Sequence, residues 1–254
     1  MQAFAEFPYL DLTKGHCNDI ISVQETDHMA EVSLYHGSVS VIEQPVFGKG
    51  KPHNDYGRGF YCTQSIELAK EWAVEEDRDG YANQYLLDLQ GLNVLDLSQK
   101  GFTTLHWITL LLQNRVFTLK NDIIKAGKRY LVEHFSLPVH TYDVLKGYRA
   151  DDSYFAYAES FLNNTISVQR LSEALKLGNL GEQVVLMSQK SFGQLRFLGY
   201  EAADAATYYP LRKARNEQAR MEFLSNRRGV LSPDDLYLAD IIRGGIKPDD
   251  PRLQ

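Results

Sequence analysis

The sequence predicts an α+β protein in which short strands enclose a cleft and helices are inserted and appended. Apolar and polar residues alternate over residues 31–36, which is the period of a half-buried strand. Two longer segments, residues 101–135 and 211–228, are predicted to be helical. Residues 44–59 contain Gly48, Gly50, Gly57, Gly59 and two prolines, so they predict a long loop, and loops of that length are often functional lids.

The remaining elements follow from the same patterns. Further strands are predicted at residues 60–63, 85–89, 92–97, 142–145, 183–188 and 195–197, with a turn at Gly91 joining the second and third of these. Further helices are predicted at residues 66–76, 153–162, 167–177 and 233–242. Thr63 or Ser65 is expected to cap the first of these helices and Ser167 the third, because a side-chain oxygen there accepts from the first helical turn.

Composition limits the class of protein. The chain has 254 residues, of which 44% are hydrophobic and 24% charged, as is ordinary for a globular protein. A formal net charge of −6 argues weakly against nucleic-acid binding. Cys17 and Cys62 form no Cys-x-x-Cys motif and no histidines pair at ligand spacing, so no disulfide framework and no metal site is expected. No segment has the pattern of a membrane span or a secretory signal, so a cytoplasmic protein is expected.

Three short motifs, far apart along the chain, each lie where a predicted strand meets a loop. His36-Gly37-Ser38 follows the first strand, and Gly57-Arg58-Gly59-Phe60-Tyr61 opens the second. Glu182-Gln183 begins the β-branched run of the 183–188 strand. The first motif offers an imidazole and a hydroxyl, the second a phenol, and the third a carboxylate and an amide.

Together these motifs resemble those of the ADP-ribosyltransferases of the diphtheria-toxin and poly(ADP-ribose) polymerase type. The resemblance covers roughly residues 31–200 and implies a split mixed and antiparallel β-sandwich core. On this basis residues 31–200 are expected to form the transferase-like domain, with a helical insertion at about residues 101–177. Residues 201–254 are then a helical C-terminal extension. Residues 1–30 are an N-terminal extension, which is either native or, because His28-Met29 resembles a cloning junction, a leader with no function.

The resemblance implies a catalytic triad of His36, Tyr61 and Glu182. Cleavage of the bond between nicotinamide and ribose passes through an oxocarbenium-like state, as glycoside cleavage does, and requires a carboxylate near the ribose. Glu182 would bind a ribose hydroxyl and stabilise the positive charge. Gln183 is the alternative, because a one-residue change of strand register exchanges the two side chains.

The remaining motif residues are implied to bind the dinucleotide. His36 would contact the adenosine ribose, and the backbone N–H and C=O of Gly37 would hold the nicotinamide carboxamide, with Ser38 in the same binding set. Tyr61 would stack on the nicotinamide ring, and Trp72 either stacks there as well or packs in the core. Arg58, beside Gly59, either contacts the pyrophosphate or is a solvated loop residue.

Other charged segments have a functional and an ordinary interpretation. Residues 149–152 either line the acceptor side of the cleft or form a turn and a helix start, and the second is slightly preferred. The basic residues of the 211–228 helix are interspersed with acidic ones, so a solvated face is preferred to a nucleic-acid contact. The segment Gly48-Lys49-Gly50-Lys51 lacks the spacing of a phosphate-binding P-loop.

The expected function is therefore that of an NAD-dependent mono-ADP-ribosyltransferase, with NAD as its substrate and no metal. Its acceptor is an unidentified macromolecule, with protein slightly preferred to nucleic acid. The resemblance to toxin components suggests a bacterial toxin or defence effector with an antitoxin partner and no membrane association. A non-catalytic NAD or ADP-ribose binding module is the alternative, and an RNA 2′-phosphate-processing enzyme of the same fold ranks last.

Overall fold

The computed structural model describes residues 31–117, 122–149, 152–175, 181–226, 232 and 234–253. The predicted N-terminal extension, residues 1–30, lies outside the described residues. Within them the chain forms two β-sheets and eight α-helices, so the α+β prediction is confirmed. None of the helices in these ranges has the length and apolar character needed to cross a membrane.

Sheet A has three antiparallel strands in the order β1-β3-β7, and sheet B has four in the order β2-β6-β5-β4. In sheet B the β4–β5 pair is parallel and the other two pairs are antiparallel. The strands are β1 (Glu31–Ser38), β2 (Phe60–Cys62), β3 (Gly80–Asp88), β4 (Val94–Asp96), β5 (Val144–Tyr148), β6 (Glu182–Leu186) and β7 (Leu195–Ala203).

The helices are α1 (Ile66–Ala73), α2 (Thr104–Asn114), α3 (Asp122–Phe135), α4 (Asp152–Leu162), α5 (Val168–Ala174), α6 (Gln189–Gly193), α7 (Ala205–Asn226) and α8 (Leu238–Arg243). Two of the predicted caps are confirmed. The Ser65 hydroxyl accepts from the Leu68 N–H at 3.3 Å, and the Ser167 hydroxyl accepts from the Arg170 N–H at 3.2 Å.

Sheet B lies between sheet A and helices α2 to α5, and its two faces belong to different cores. On one face Val184 and Leu186 pack against Leu34 and Tyr85 of sheet A. On the other face Val185 belongs to the larger core built with α2, α3, α4 and α5. Helix α2 is almost entirely buried in that core, which explains why its sequence is apolar nearly all round.

Several predicted elements differ in extent or partnership. The strands on either side of Gly91 do not form a hairpin, because β3 belongs to sheet A whereas β4 pairs with β5 in sheet B. The 101–135 segment contains two helices, and β5 extends beyond the predicted 142–145 strand to Tyr148. Strand β7 continues to Ala203, across the predicted domain boundary at residue 200.

Helix α7 begins six residues before the predicted start at 211. The Asp204 side chain accepts from the backbone N–H of Ala206 and Thr207 and so supplies the N-terminal cap. Pro210 therefore lies inside the helix. Helix α8, Leu238–Arg243, is shorter than the predicted 233–242 segment.

Candidate functional site

A cavity of about 680 Å³ opens where the end of β1 faces the start of β6, which is a suitable size for a small-molecule ligand. Its walls come from β1, the loop between β1 and β2, β2, α1, the residue after α2, the residue after β5, β6 and α6. The apolar part of the lining includes Ile42, Val46, Phe60 and Phe192.

The imidazole of His36 lines this cavity in a defined tautomer. Its Nδ1 lies 2.7 Å from the backbone carbonyl oxygen of Tyr61, and the ring stacks on Phe60 with the centroids 4.3 Å apart. Since a carbonyl oxygen only accepts, Nδ1 carries the proton. Burial lowers the pKa of His36, and the hydrogen bond to Tyr61 offsets this only in part. The ring is therefore neutral at pH 7, with Nε2 as an acceptor.

Gly37 also lines the cavity, and α1 requires a glycine there. A Cβ on Gly37 would overlap the carbonyl oxygen of Ala69 and lie 2.8 Å from the nitrogen of Ala73. Two residues earlier in β1, Tyr35 exchanges both backbone hydrogen bonds with Thr63, on the edge of the strand that does not pair with β3. Because alternate residues of a strand direct their N–H and C=O groups to the same edge, those of Gly37 also point away from β3.

Tyr61 presents its ring to the cavity while its hydroxyl is used inside the loop. The hydroxyl donates to the carbonyl oxygen of Gly57 at 2.6 Å and accepts from the N–H of Tyr56 at 3.1 Å. Burial raises the pKa of Tyr61, so the phenol stays protonated. The ring face is the part that can act on a ligand. Gly59, beside it, lies against Val185, where a Cβ would not fit.

Two residues predicted to bind the ligand are outside the cavity lining. The Ser38 hydroxyl donates to the carbonyl oxygen of Ser40 at 2.5 Å and accepts from Asn83 at 3.0 Å. Arg58 is exposed and donates to the carbonyl oxygen of Gly48 at 3.0 Å. Both side chains stabilise loop backbone, so their predicted ligand contacts are not supported by position.

The register of β6 directs Gln183 to the cavity and Glu182 away from it. Gln183 lines the cavity and is only 3% exposed. Glu182 is on the opposite face of the strand, where its Oε2 lies 2.9 Å from Nζ of Lys146. Of the two residues, the alternative, Gln183, therefore lies in the cavity wall and Glu182 does not, and which of them is catalytic stays a prediction. The physical reason is the alternation of side chains along a strand.

Asp55 is a carboxylate in the cavity that no sequence motif indicated. It lies in the loop between β1 and β2 and is 6% exposed. Its Oδ2 accepts from Nε2 of Gln183 at 2.9 Å, and its Oδ1 lies 3.6 Å from the guanidinium of Arg115. Since these partners are 128 and 60 residues away, no local spacing could have linked them. The prediction of a functional loop at 44–59 was the only available signal.

Basic side chains dominate the charge of the cavity. Among the described residues, Lys49, Lys51, Arg115 and Arg149 line it and Asp55 supplies the one carboxylate, although the whole chain has a net charge of −6. An excess of cations in a concave site favours an anionic ligand such as a phosphate ester. Arg149 therefore lines the cleft, as one interpretation of residues 149–152 expected, and α4 begins at Asp152, as the other expected.

Trp72 forms part of the same wall. The guanidinium of Arg149 lies 4.5 Å from the centre of its ring, which is a cation–π distance. Its indole N–H is buried and has no acceptor in the part of the chain that the structure describes. A buried donor without an acceptor is costly, so Trp72 is not a simple core residue.

A family of proteins described as "Protein of unknown function (DUF3990)" has a sequence model that matches residues 32–197. This chain belongs to the DUF3990 family. The matched segment runs from β1 into β7 and contains every residue that lines the cavity. The cavity is therefore a feature of the DUF3990 domain, and α7 and α8 follow it. No curated protein and no solved structure matches the chain.

No group of three or more His, Cys, Asp or Glu side chains placed to hold a metal ion occurs among the described residues. The described lining of the cavity combines a neutral imidazole, several aromatic rings, an amide hydrogen-bonded to a carboxylate, and four cations. Such a site can bind a phosphorylated aromatic ligand and hold a hydroxyl group of that ligand beside the Gln183 amide.

Proposed function

We propose that this protein is an NAD-dependent mono-ADP-ribosyltransferase whose donor site is the cavity. The observation that carries the proposal is that residues from three distant motifs meet in one cavity. His36, Tyr61 and Gln183 come from three motifs spread over about 150 residues, and all three line one positively charged cavity. These three motifs are the ones that resemble those of ADP-ribosyltransferases, and their meeting in one cavity supports that resemblance.

Each part of NAD has a suitable partner in the cavity. Nε2 of His36 accepts from a hydroxyl of the adenosine ribose, and the outward N–H and C=O of Gly37 hold the carboxamide. The Tyr61 ring stacks on the nicotinamide, whose positive charge adds about 1 kcal/mol of cation–π attraction. The four basic side chains around the cavity bind the pyrophosphate.

In the reaction the bond between C1′ of the ribose and the nicotinamide nitrogen breaks, and its electron pair leaves with neutral nicotinamide. The ribosyl cation that develops is captured by a nucleophile of the acceptor, which then loses a proton. In this proposal Gln183, which lines the cavity, is the group beside the ribose, and its amide oxygen accepts from a ribose hydroxyl. The acceptor is a macromolecule, with protein slightly preferred to nucleic acid, and the setting is that of a bacterial toxin or defence effector with an antitoxin.

A non-catalytic module that binds NAD or ADP-ribose is the second candidate. One observation favours it: Glu182 points away from the cavity and pairs with Lys146. The enzymes that the chain resembles use a carboxylate at this place. A site with an amide there would bind the ligand but stabilise the ribosyl cation less.

Incubation with NAD that carries the label in nicotinamide separates the two candidates. We expect the purified chain to release labelled nicotinamide when cell lysate supplies acceptors, and titration calorimetry to show NAD binding. Calorimetric binding without release, with lysates of several cell types, would favour the binding module. Absence of both binding and release would overturn both candidates.

A further inference from the structure

The carboxylate of Asp55 and the amide of Gln183 form a buried pair in the wall of the cavity. The two side chains are 6% and 3% exposed, and the distance between Oδ2 and Nε2 is 2.9 Å. Asp55 belongs to the loop between β1 and β2, whereas Gln183 belongs to β6. The pair therefore links the loop over the cavity to the strand beneath it.

The surroundings of Gln183 decide which way its amide points. Its Nε2 lies between two oxygens, Oδ2 of Asp55 and, at 3.3 Å, the backbone carbonyl oxygen of Tyr148. A carboxylate and a carbonyl only accept hydrogen bonds, so the amino end of the amide must face them. Its carbonyl oxygen then faces the other way and accepts no hydrogen bond from the residues that the structure describes.

Of these two acceptors, Asp55 has more capacity to hold the amide. The carbonyl oxygen of Tyr148 already accepts from the hydroxyl of Tyr56 at 2.6 Å and from Nε1 of Trp107 at 3.2 Å. A carbonyl oxygen has two lone pairs, which these donors occupy. A hydrogen bond to a charged carboxylate is also about twice as strong as one between neutral groups.

We propose that Asp55 is the positioning residue of the site: its carboxylate fixes the amide of Gln183 with the carbonyl oxygen directed into the cavity. This inference rests on the proposed function, in which that oxygen accepts from a ribose hydroxyl. Asp55 also polarises the amide, because a hydrogen bond to a carboxylate increases the partial negative charge on the far oxygen. The pair thus supplies part of the negative potential that a glutamate would provide.

Asp55 also makes contacts that hold the loop, and the test must separate this role from the orientation of the Gln183 amide. The backbone carbonyl oxygen of Asp55 accepts from Nδ2 of Asn114 at 3.4 Å, a contact that does not involve the carboxylate. Asn114 does not line the cavity. Asn114→Ala therefore loosens the loop at Asp55 and leaves the carboxylate–amide bond in place, which makes it the matched control.

The kinetic test measures nicotinamide release by Asp55→Ala, by Asp55→Asn, which keeps the side-chain volume if the alanine variant misfolds, and by Asn114→Ala. We expect Asp55→Ala to lower kcat by about 10- to 100-fold, the usual effect of losing a group that orients a functional residue. Asp55→Asn should lower kcat less, because its amide oxygen can still accept from Nε2 of Gln183 but carries no charge. KM for NAD should change little, and Asn114→Ala should keep kcat. A loss of kcat in Asn114→Ala equal to that in Asp55→Asn would show that only loop order matters, and would overturn the inference.

Two further measurements make the test specific. Combining Asp55→Asn with Gln183→Ala should give a rate no lower than Gln183→Ala alone, since both act through the same amide. An added loss of the same size as in the single variant would contradict the inference. The side-chain NH₂ signal of Gln183 in a ¹⁵N NMR spectrum, assigned by its absence in Gln183→Ala, should shift in Asp55→Asn and not in Asn114→Ala. If the unmodified chain releases no nicotinamide, the proposed function fails, and the NMR signal alone then decides whether Asp55 orients the amide: an unshifted signal overturns that role.

Discussion

The two faces of sheet B differ in what their polar side chains do. On the face toward sheet A, Lys146 lies between Glu182 at 2.9 Å and Asp96 at 3.6 Å, and all three side chains are partly exposed. On the face toward the helices, Gln183 is almost fully buried, bonds to the buried carboxylate of Asp55, and lines the cavity. Glu182 and Gln183 are adjacent in sequence, yet one belongs to a partly solvated ion pair and the other to the candidate site.

This difference shows that the residue types of a motif do not reveal the register of its strand, which decides the face on which each side chain lies. A Glu-Gln pair at the start of a strand always places one of the two side chains on each face. Which one enters the cavity depends on the pairing of β6 with β2, where Tyr61 faces Val185, and with β5, where Gly147 faces Gln183. Since Tyr61, Val185 and Gln183 share one face, the side-chain amide of Gln183 lies in the cavity wall.

The largest expected effect comes from replacing these two neighbours one at a time. Gln183→Ala should lower the rate of nicotinamide release on the order of a hundredfold, the cost of removing one group that stabilises developing charge. Glu182→Ala, the matched control on the other face, should leave the rate within experimental error. The measurement is the initial rate of nicotinamide release at saturating NAD. If Glu182→Ala were the slower variant, the comparison of the two faces would be wrong.

A smaller effect, on stability, is expected from the neighbours Lys146 and Gly147 in β5. A Cβ on Gly147 would lie 3.0 Å from Cδ1 of Leu97 and 3.1 Å from Cζ of the buried Tyr56. Gly147→Ala should therefore lower the free energy of unfolding by about 1–3 kcal/mol through overpacking. Lys146→Ala should cost less than about 1 kcal/mol, because its ion pairs are partly solvated. Urea titration measures both, and a larger loss in Lys146→Ala would contradict the assignment of the faces.

Local patterns in the sequence were sufficient for much of the fold. The period-two alternation at β1, the caps at Ser65 and Ser167, and the apolar run of β6 led to elements that the structure contains. Patterns of this kind work because they depend on contacts within a few residues. The pairing of β4 with β5 could not be predicted in this way, because it joins residues about 50 positions apart.

Some residues of the site could be predicted from the sequence, but the contacts between them could not. His36, Tyr61 and Trp72 line the cavity as expected from the motifs, whereas Asp55 had no motif of its own. Its importance depends on burial and on a bond to Gln183, and both arise only when the loop folds over β6. The converse holds for Ser38 and Arg58, which belong to the motifs and make loop contacts instead.

The smallest expected effect is a difference between the pH range in which His36, beside the cavity, affects stability and the range in which the Lys146 ion pairs do. Next to the cavity, the pKa of His36 in the folded protein is below its ordinary value of 6.5, mainly because of burial. Between those two values the unfolded chain binds more protons, so the free energy of unfolding should fall as the pH drops from 7 toward 5. His36→Gln should reduce this slope. Burial also lowers the pKa of His106, so His106 should account for a further part of this slope. His106→Gln measures that part separately.

The ion-pair face should respond only at lower pH. Burial alone would raise the pKa of Asp96, but hydrogen bonds from Ser98 and the charge of Lys146 outweigh it, so the pKa is below its ordinary value of 3.8. The stability that Asp96 contributes is therefore complete above about pH 4 and is lost as the pH falls through its folded pKa. Urea titrations of the unmodified chain, His36→Gln and Asp96→Asn from pH 7 to 3 would compare the two ranges. If Asp96→Asn changed the slope between pH 7 and 5, the neutral histidine beside the cavity would no longer explain the acid sensitivity in that range.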